Sequence, residues 1–243
     1  ADEIAGSLAT VKQACDKDSR LIMDSLGFCY TLDSLARLVF MTQGQSSADA
    51  VVRKGILTAI NFGSPEVLAR LRKLQGDMSV YGELRNSFTD PSKWNPEVLE
   101  SAIHSHEQGM AEMALVNSEA PYVLFNALNR GRAGAMYALA KAERGEYNDQ
   151  LGDQIERLWQ DSCRMLLKQR ERDREDYLKQ LATLGLMVEA SRKGGMDISR
   201  LQLPEEIRAD ITAAQEFVTQ QETDSAEHPE NYAPADIGLI SLW

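Results

Sequence analysis

The sequence predicts an all-α fold: a multi-helix bundle or a short α-solenoid of antiparallel helix pairs. Three observations carry that expectation. Apolar residues recur at helical spacing along most of the 243-residue chain. The breaks between those stretches are helix punctuation, with Ser, Asp or Asn before a start, Pro at the first position and Gly past an end. No run alternates apolar and polar residues with β-branched enrichment and a hairpin turn, so strands leave no signature. At 43% hydrophobic residues the chain carries enough apolar side chain for a core, and its composition is that of a folded protein.

Each element follows from its own residues. Ile4, Leu8, Val11 and Cys15 form the stripe of an amphipathic helix over residues 2–16. Asp18 caps a segment running through Leu21, Ile22 and Leu26 to Gly27. Thr31 and Asp33 open a third helix, Leu32–Met41, apolar on most faces and so expected to be central. Gly44-Gln45-Ser46-Ser47 is a loop, and the helix after it runs to about Asn61. Gly63-Ser64-Pro65 ends that helix and starts the next, Glu66–Gln75, which Gly76 is expected to stop. A weaker helix covers Val80–Phe88.

Asn95-Pro96 repeats the cap-plus-Pro start, for a helix to about Leu115. Asn117 or Ser118 caps the next, expected to end near Asn129–Gly131, and Ala133–Arg144 forms another, closed by Gly145. From Asp149 to Lys193 there is no Pro, and Leu151, Ile155, Leu158, Leu166, Leu178, Leu181, Leu184 and Val188 form the apolar stripe. That predicts one long helix, or two in line, ended by Gly194-Gly195. Pro204 starts a last helix to about Gln221. The domain organisation expected is a single helical domain over 1–221, which could divide into sub-units 1–148 and 149–221. Residues 222–243 form an extended tail with Pro229 and Pro234, closing on Ile237-Gly238-Leu239-Ile240-Ser241-Leu242-Trp243. An apolar, aromatic end after such a segment has to dock, on its own domain or on a neighbouring chain.

Charge and cysteine narrow the function classes. Lys+Arg 26 against Asp+Glu 37 gives a net charge of -11, which repels phosphate backbones and argues against nucleic acid as partner. The apolar runs are short, for example Leu38-Val39-Phe40-Met41, so no membrane span is expected. Ala1-Asp2-Glu3 has the small residue followed by acids that a cleaved exported protein often shows, so the expected location is periplasmic or secreted, with the cytoplasm as the alternative. Cys15, Cys29 and Cys163 are expected as buried or free thiols. On one helix, Cys15 and Cys29 would stand ~21 Å apart, far beyond a disulfide's reach.

No G-x-S-x-G, P-loop, G-x-G-x-x-G, HExxH or EF-hand spacing is present, so neither catalytic residues nor a cofactor or metal are nominated. His104 and His106 point ~200° apart on a helix and do not converge on a metal, so both are read as solvent-facing. The basic residues lie in local groups: Arg70, Arg72 and Lys73; Arg130 and Arg132; and Arg164 to Arg174, the last interleaved with acids so that its field largely cancels.

An internal echo supplies the remaining signal. Pro65-Glu66-Val67-Leu68 recurs as Pro96-Glu97-Val98-Leu99, and Ala59-x-Asn61-x-Gly63 recurs as Ala127-x-Asn129-x-Gly131. The second offset is about two steps of 34, a helix-pair period. The stretch from Ala127 through Gly131, Ala135, Met136, Tyr137, Leu139 and Ala140 to Gly145 resembles a tetratricopeptide or Sel1-like repeat, clearest over 127–145 and fainter over 59–145. The resemblance implies a helical array that binds a protein or peptide in a groove. The expected function is therefore a non-enzymatic interaction module: an adaptor, assembly factor or chaperone-like protein, placed in the bacterial envelope. The alternatives are a structural subunit of a larger assembly such as a secretion machine or a virion, with the chain as a homo-oligomer, and an enzyme whose site is assembled from distant residues. The candidate partner-binding residues are Asn61, Asn129, Arg132 and Tyr137 for the groove, and Leu239, Ile240, Leu242 and Trp243 for the tail.

Overall fold

The computed structural model describes residues 26–62, 65–87, 90–114 and 121–227. Among these the secondary structure is helical and no strand occurs. The helices are α1 (Leu26–Gln43), α2 (Gln45–Phe62), α3 (Pro65–Asn86), α4 (Pro96–Ala114), α5 (Pro121–Glu143), α6 (Asp149–Arg172), α7 (Arg174–Gln180), α8 (Ala182–Lys193) and α9 (Glu205–Glu227). Two short 3-10 turns, Pro91–Lys93 and Ile198–Arg200, sit between them. No described helix is long and apolar enough to cross a membrane. The chain parts into two compact units, whose described portions are 26–78 with 105–126 and 79–104 with 127–227. The division falls within α3, α4 and α5.

In the first unit, α1 and α2 pack as a pair joined by Gly44 alone. Its φ of 87° lies in the left-handed region open to glycine, so one residue reverses the chain. The buried stripe of α1 is Cys29, Leu32, Ala36 and Val39, and that of α2 is Ala48, Val52, Ile56 and Ala59. Each large aliphatic side chain so buried contributes about 1.5–3 kcal/mol relative to exposure. Gly55 of α2 lies against Leu32, and a Cβ there would run into the leucine side chain.

The second unit is built around the later part of α5. Ala133, Ala135, Met136, Ala138, Leu139 and Ala140 are all buried, which marks a central helix. Small residues let α6 approach closely: Gly131 faces Ser162, and Gly134 faces Leu158. Helix α6 is amphipathic, burying Leu151, Ile155, Leu158, Trp159, Cys163 and Leu166. The Asn148 side chain caps its start by accepting from the Leu151 N–H at 2.9 Å. Before α4, Trp94 is fully buried, and its Nε1 donates to the Ser87 carbonyl at 2.6 Å. The Asn95 N–H donates to Glu83 at 2.6 Å. Burial pushes the Glu83 carboxyl above its ordinary value, against the opposing pull of that bond and of Arg144.

Several expected helix ends are displaced. Gly76 does not stop a helix, since α3 runs unbroken from Pro65 to Asn86. Gly131 is likewise interior to α5, so the turn expected near Asn129–Gly131 is not there. Both glycines instead make room for a side chain from another helix, His106 and Ser162 respectively. The stretch 149–193 is not one rod: Asp173 and Leu181 interrupt it, and α8 packs back against α6. Asp173 is extended, and its carboxylate accepts from the Asp176 N–H at 3.0 Å, capping α7. The last helix continues past Gln221 to Glu227.

Candidate functional site

The first unit holds a cleft of about 230 Å³ between side chains of α1, α3 and α5. Helix α1 contributes Cys29, Asp33 and Arg37, at the i, i+4, i+8 spacing of one helical face. Helix α3 contributes Arg70, Lys73 and Asp77 on a second face, with Leu71 and Leu74 as apolar floor. Helix α5 adds Tyr122 and Phe125, whose rings meet edge-on at 6.3 Å.

The charged groups are held by one another. Arg37 Nε donates to Asp33 at 2.9 Å. Lys73 Nζ donates to Asp77 at 2.6 Å. Arg70 donates from Nη1 to the Tyr122 hydroxyl at 2.8 Å, with its guanidinium 5.6 Å from the Tyr122 ring centre. Burial pushes the Cys29 thiol up to about 11, with Arg70 pulling down and Glu66 pushing up by smaller amounts. The thiol therefore stays protonated at neutral pH and offers no thiolate nucleophile. Cys163, in the other unit, is pushed by burial to about 12. Both cysteines are free thiols, and Cys15 lies outside the described residues.

Behind Asp77 the cleft is backed by a buried polar network. His106 of α4 is fully buried, with Nε2 at 3.8 Å from Asp77 Oδ1 and Nδ1 at 3.1 Å from Asn126 Oδ1. Asn126 donates from Nδ2 to the carbonyls of Ala69 at 3.2 Å and Tyr122 at 2.8 Å. Two glycines admit this pair to the interior: a Cβ on Gly76 would overlap the imidazole, and one on Gly109 would stand 2.8 Å from Asn126 Oδ1. The expectation that both histidines face solvent is thus half right: His104 is exposed, but His106 is not. His106 instead meets a gap in α3 at Gly76, which helical spacing alone does not reveal. Among the described residues, no group of three or more His, Cys, Asp or Glu side chains is placed to hold a metal ion.

The residues nominated from sequence lie elsewhere. Asn61 is in the last turn of α2, in the first unit. Asn129, Arg132 and Tyr137 belong to α5 in the second unit. Asn129 and Arg132 are buried, and the Arg132 guanidinium stands 5.7 Å from the Tyr81 ring centre. Tyr137 is half-buried, with Lys141 Nζ at 5.9 Å from its ring centre. Leu239, Ile240, Leu242 and Trp243 lie outside the described residues. Of the cleft, sequence reasoning had singled out Cys29 as a thiol and Arg70 and Lys73 as part of a basic group. The i, i+4 pairs Asp33–Arg37 and Lys73–Asp77 were the further signal available.

No protein-family model matches the chain, and no curated protein and no solved structure matches it either. Its class rests on the structure alone: an all-α protein of packed helices, with a charged cleft over an apolar floor in one unit.

Proposed function

We propose that the protein is a non-enzymatic interaction module whose recognition site is the cleft of the first unit. One observation carries the reading: charged side chains from two helices and aromatic side chains from a third converge over an apolar floor. Specific pockets are built this way, with apolar surface for affinity and a few placed polar groups for orientation. The volume of about 230 Å³ falls below the roughly 300–1,000 Å³ of drug-sized sites and suits a single side chain of a partner peptide.

A random peptide library selected against the full chain tests the reading, with amide NMR of the chain as readout. The expected result is a shared sequence pattern whose peptides shift the signals of Cys29, Arg70, Tyr122 and Phe125 saturably. Selected peptides that shift only residues away from the cleft, or no enrichment over an unrelated acidic helical protein, would sink it. A self-associating assembly subunit is the second reading. Met41, Leu57 and Ile60 of the α1–α2 pair favour it, being 65%, 63% and 56% exposed despite their size. Light scattering across a concentration series decides that case, and a mass fixed at one chain counts against it.

A further inference from the structure

We infer that the cleft of the first unit takes an uncharged, apolar side chain of a partner peptide; this deepens the interaction-module reading and rests on it. The first argument is charge balance. Arg37, Arg70 and Lys73 line the cleft together with Asp33 and Asp77. Glu66, one helical turn before Arg70, acts on the same Cys29 thiol as Arg70 does. Among the described residues, three cations therefore stand against three carboxylates. A peptide charge of either sign meets no net opposite charge there, and it gives up water on entering.

The second argument is commitment. Arg37 meets Asp33 at 2.9 Å, Lys73 meets Asp77 at 2.6 Å, and Arg70 meets the Tyr122 hydroxyl at 2.8 Å. Arg37, Arg70, Asp77 and Tyr122 each have further interactions besides these. A charged ligand has to draw one of these groups away from its partner, and the partner left behind is costly wherever it is buried. An apolar ligand leaves every pair intact. It also excludes water from around the pairs, which strengthens them.

The third argument is the surface that remains. Tyr122 and Phe125 are half-buried, so both rings keep surface within a ligand's reach. Leu71, Leu74 and Cys29 line the deeper part, at 0%, 5% and 1% exposure. The Cys29 thiol, held protonated by burial, behaves as a small apolar group. An apolar cavity of about 150 Å³ is enough to hold benzene, so a volume of about 230 Å³ takes a branched aliphatic side chain.

The experiment uses the full chain and four short blocked peptides, otherwise neutral and identical except for a central Leu, Gln, Glu or Lys, titrated by amide NMR. The Leu peptide is expected to bind about tenfold tighter than each of the other three, with shifts centred on Tyr122 and Phe125. Raising sodium chloride from about 0.01 M to about 0.15 M should leave its affinity unchanged. Phe125→Ala should weaken the Leu peptide about tenfold and bring it level with the Gln peptide. Arg37→Gln, whose side chain is 46% exposed, should leave the Leu peptide unchanged, and it keeps the test open should Phe125→Ala fold poorly. Cleft shifts with equal or tighter binding of the Gln, Glu or Lys peptide, or a Leu affinity that falls with salt or with Arg37→Gln, would overturn the apolar inference while leaving the interaction module standing. No shift at the cleft with any of the four would overturn both.

Discussion

Asn126 fixes the tautomer of His106. Its amide nitrogen is committed to the carbonyls of Ala69 and Tyr122, so the atom facing His106 Nδ1 is an oxygen, and Nδ1 must carry the hydrogen. Nε2 is then the nitrogen turned toward Asp77. The network exists only because α3 and α4 lack a side chain at Gly76 and Gly109. That sets the sign of a substitution that is ordinarily favourable. Glycine to alanine inside a helix normally gains about 0.5–1 kcal/mol. At Gly76 the new methyl would occupy the space of a fully buried imidazole, and overpacking of that kind costs about 1–3 kcal/mol. Gly76→Ala is therefore expected to lower the urea midpoint, whereas Gly185→Ala, at an exposed position in α8, should raise it slightly. An unchanged or higher midpoint for Gly76→Ala would mean that the imidazole has somewhere else to go.

Helix α7 is only seven residues long and needs tertiary support, since isolated helices of that length are unstable in water. Asp210 of α9 supplies it. Arg174 donates to both Asp210 oxygens, at 2.8 and 2.6 Å, Arg170 of α6 donates at 2.7 Å, and the buried Tyr177 hydroxyl donates at 3.0 Å. These bonds, that of Arg174 foremost, hold the Asp210 carboxyl well below the usual carboxylate range. A folded-state value below the unfolded one stabilises the fold above the unfolded value, about 3.9, and the benefit fades as pH falls below it. Asp210→Asn should thus cost about 1–2 kcal/mol at pH 7, the arginines being partly exposed, and the gap to the wild type should narrow by pH 3.5 in urea titrations. A gap that is constant with pH would assign the cost to shape rather than charge. Little of this was legible beforehand. The sequence shows that the chain is helical, and it places the Pro65 and Pro96 starts, because Pro at a first turn is a local signal. Glycine is ambiguous in the same text. At Gly44 it reverses the chain, while at Gly76 and Gly131 it is a hole filled by a residue about thirty positions away, and only packing tells these apart. Asp173 reads as one acid in a mixed-charge run, yet it breaks the long helix by capping α7. The cleft needed the fold for the same reason: its i, i+4 pairs are local, but the convergence of α1, α3 and α5 is not.

Across the whole chain, the excess of 37 acids over 26 bases sets two electrostatic effects against each other. One is long-range repulsion among the surplus carboxylates, which opposes compactness. The other is attraction within close pairs, such as Arg37–Asp33 at 2.9 Å, Lys141–Glu146 at 2.5 Å and Arg200–Asp153 at 2.9 Å. Salt discriminates between them by distance. Raising the ionic strength from about 0.01 M to 0.15 M shortens the Debye length from about 30 Å to 8 Å. Pairs in contact lie well inside either length and lose little, and exposed ones contribute only about 0–1 kcal/mol each to begin with. Repulsion summed over tens of ångströms is what the salt removes. The urea midpoint at pH 7 should therefore rise over that range of sodium chloride, with a slope of unfolding that stays constant. A midpoint that falls with salt would show that the contact pairs, and not the net charge, dominate the electrostatics of this fold.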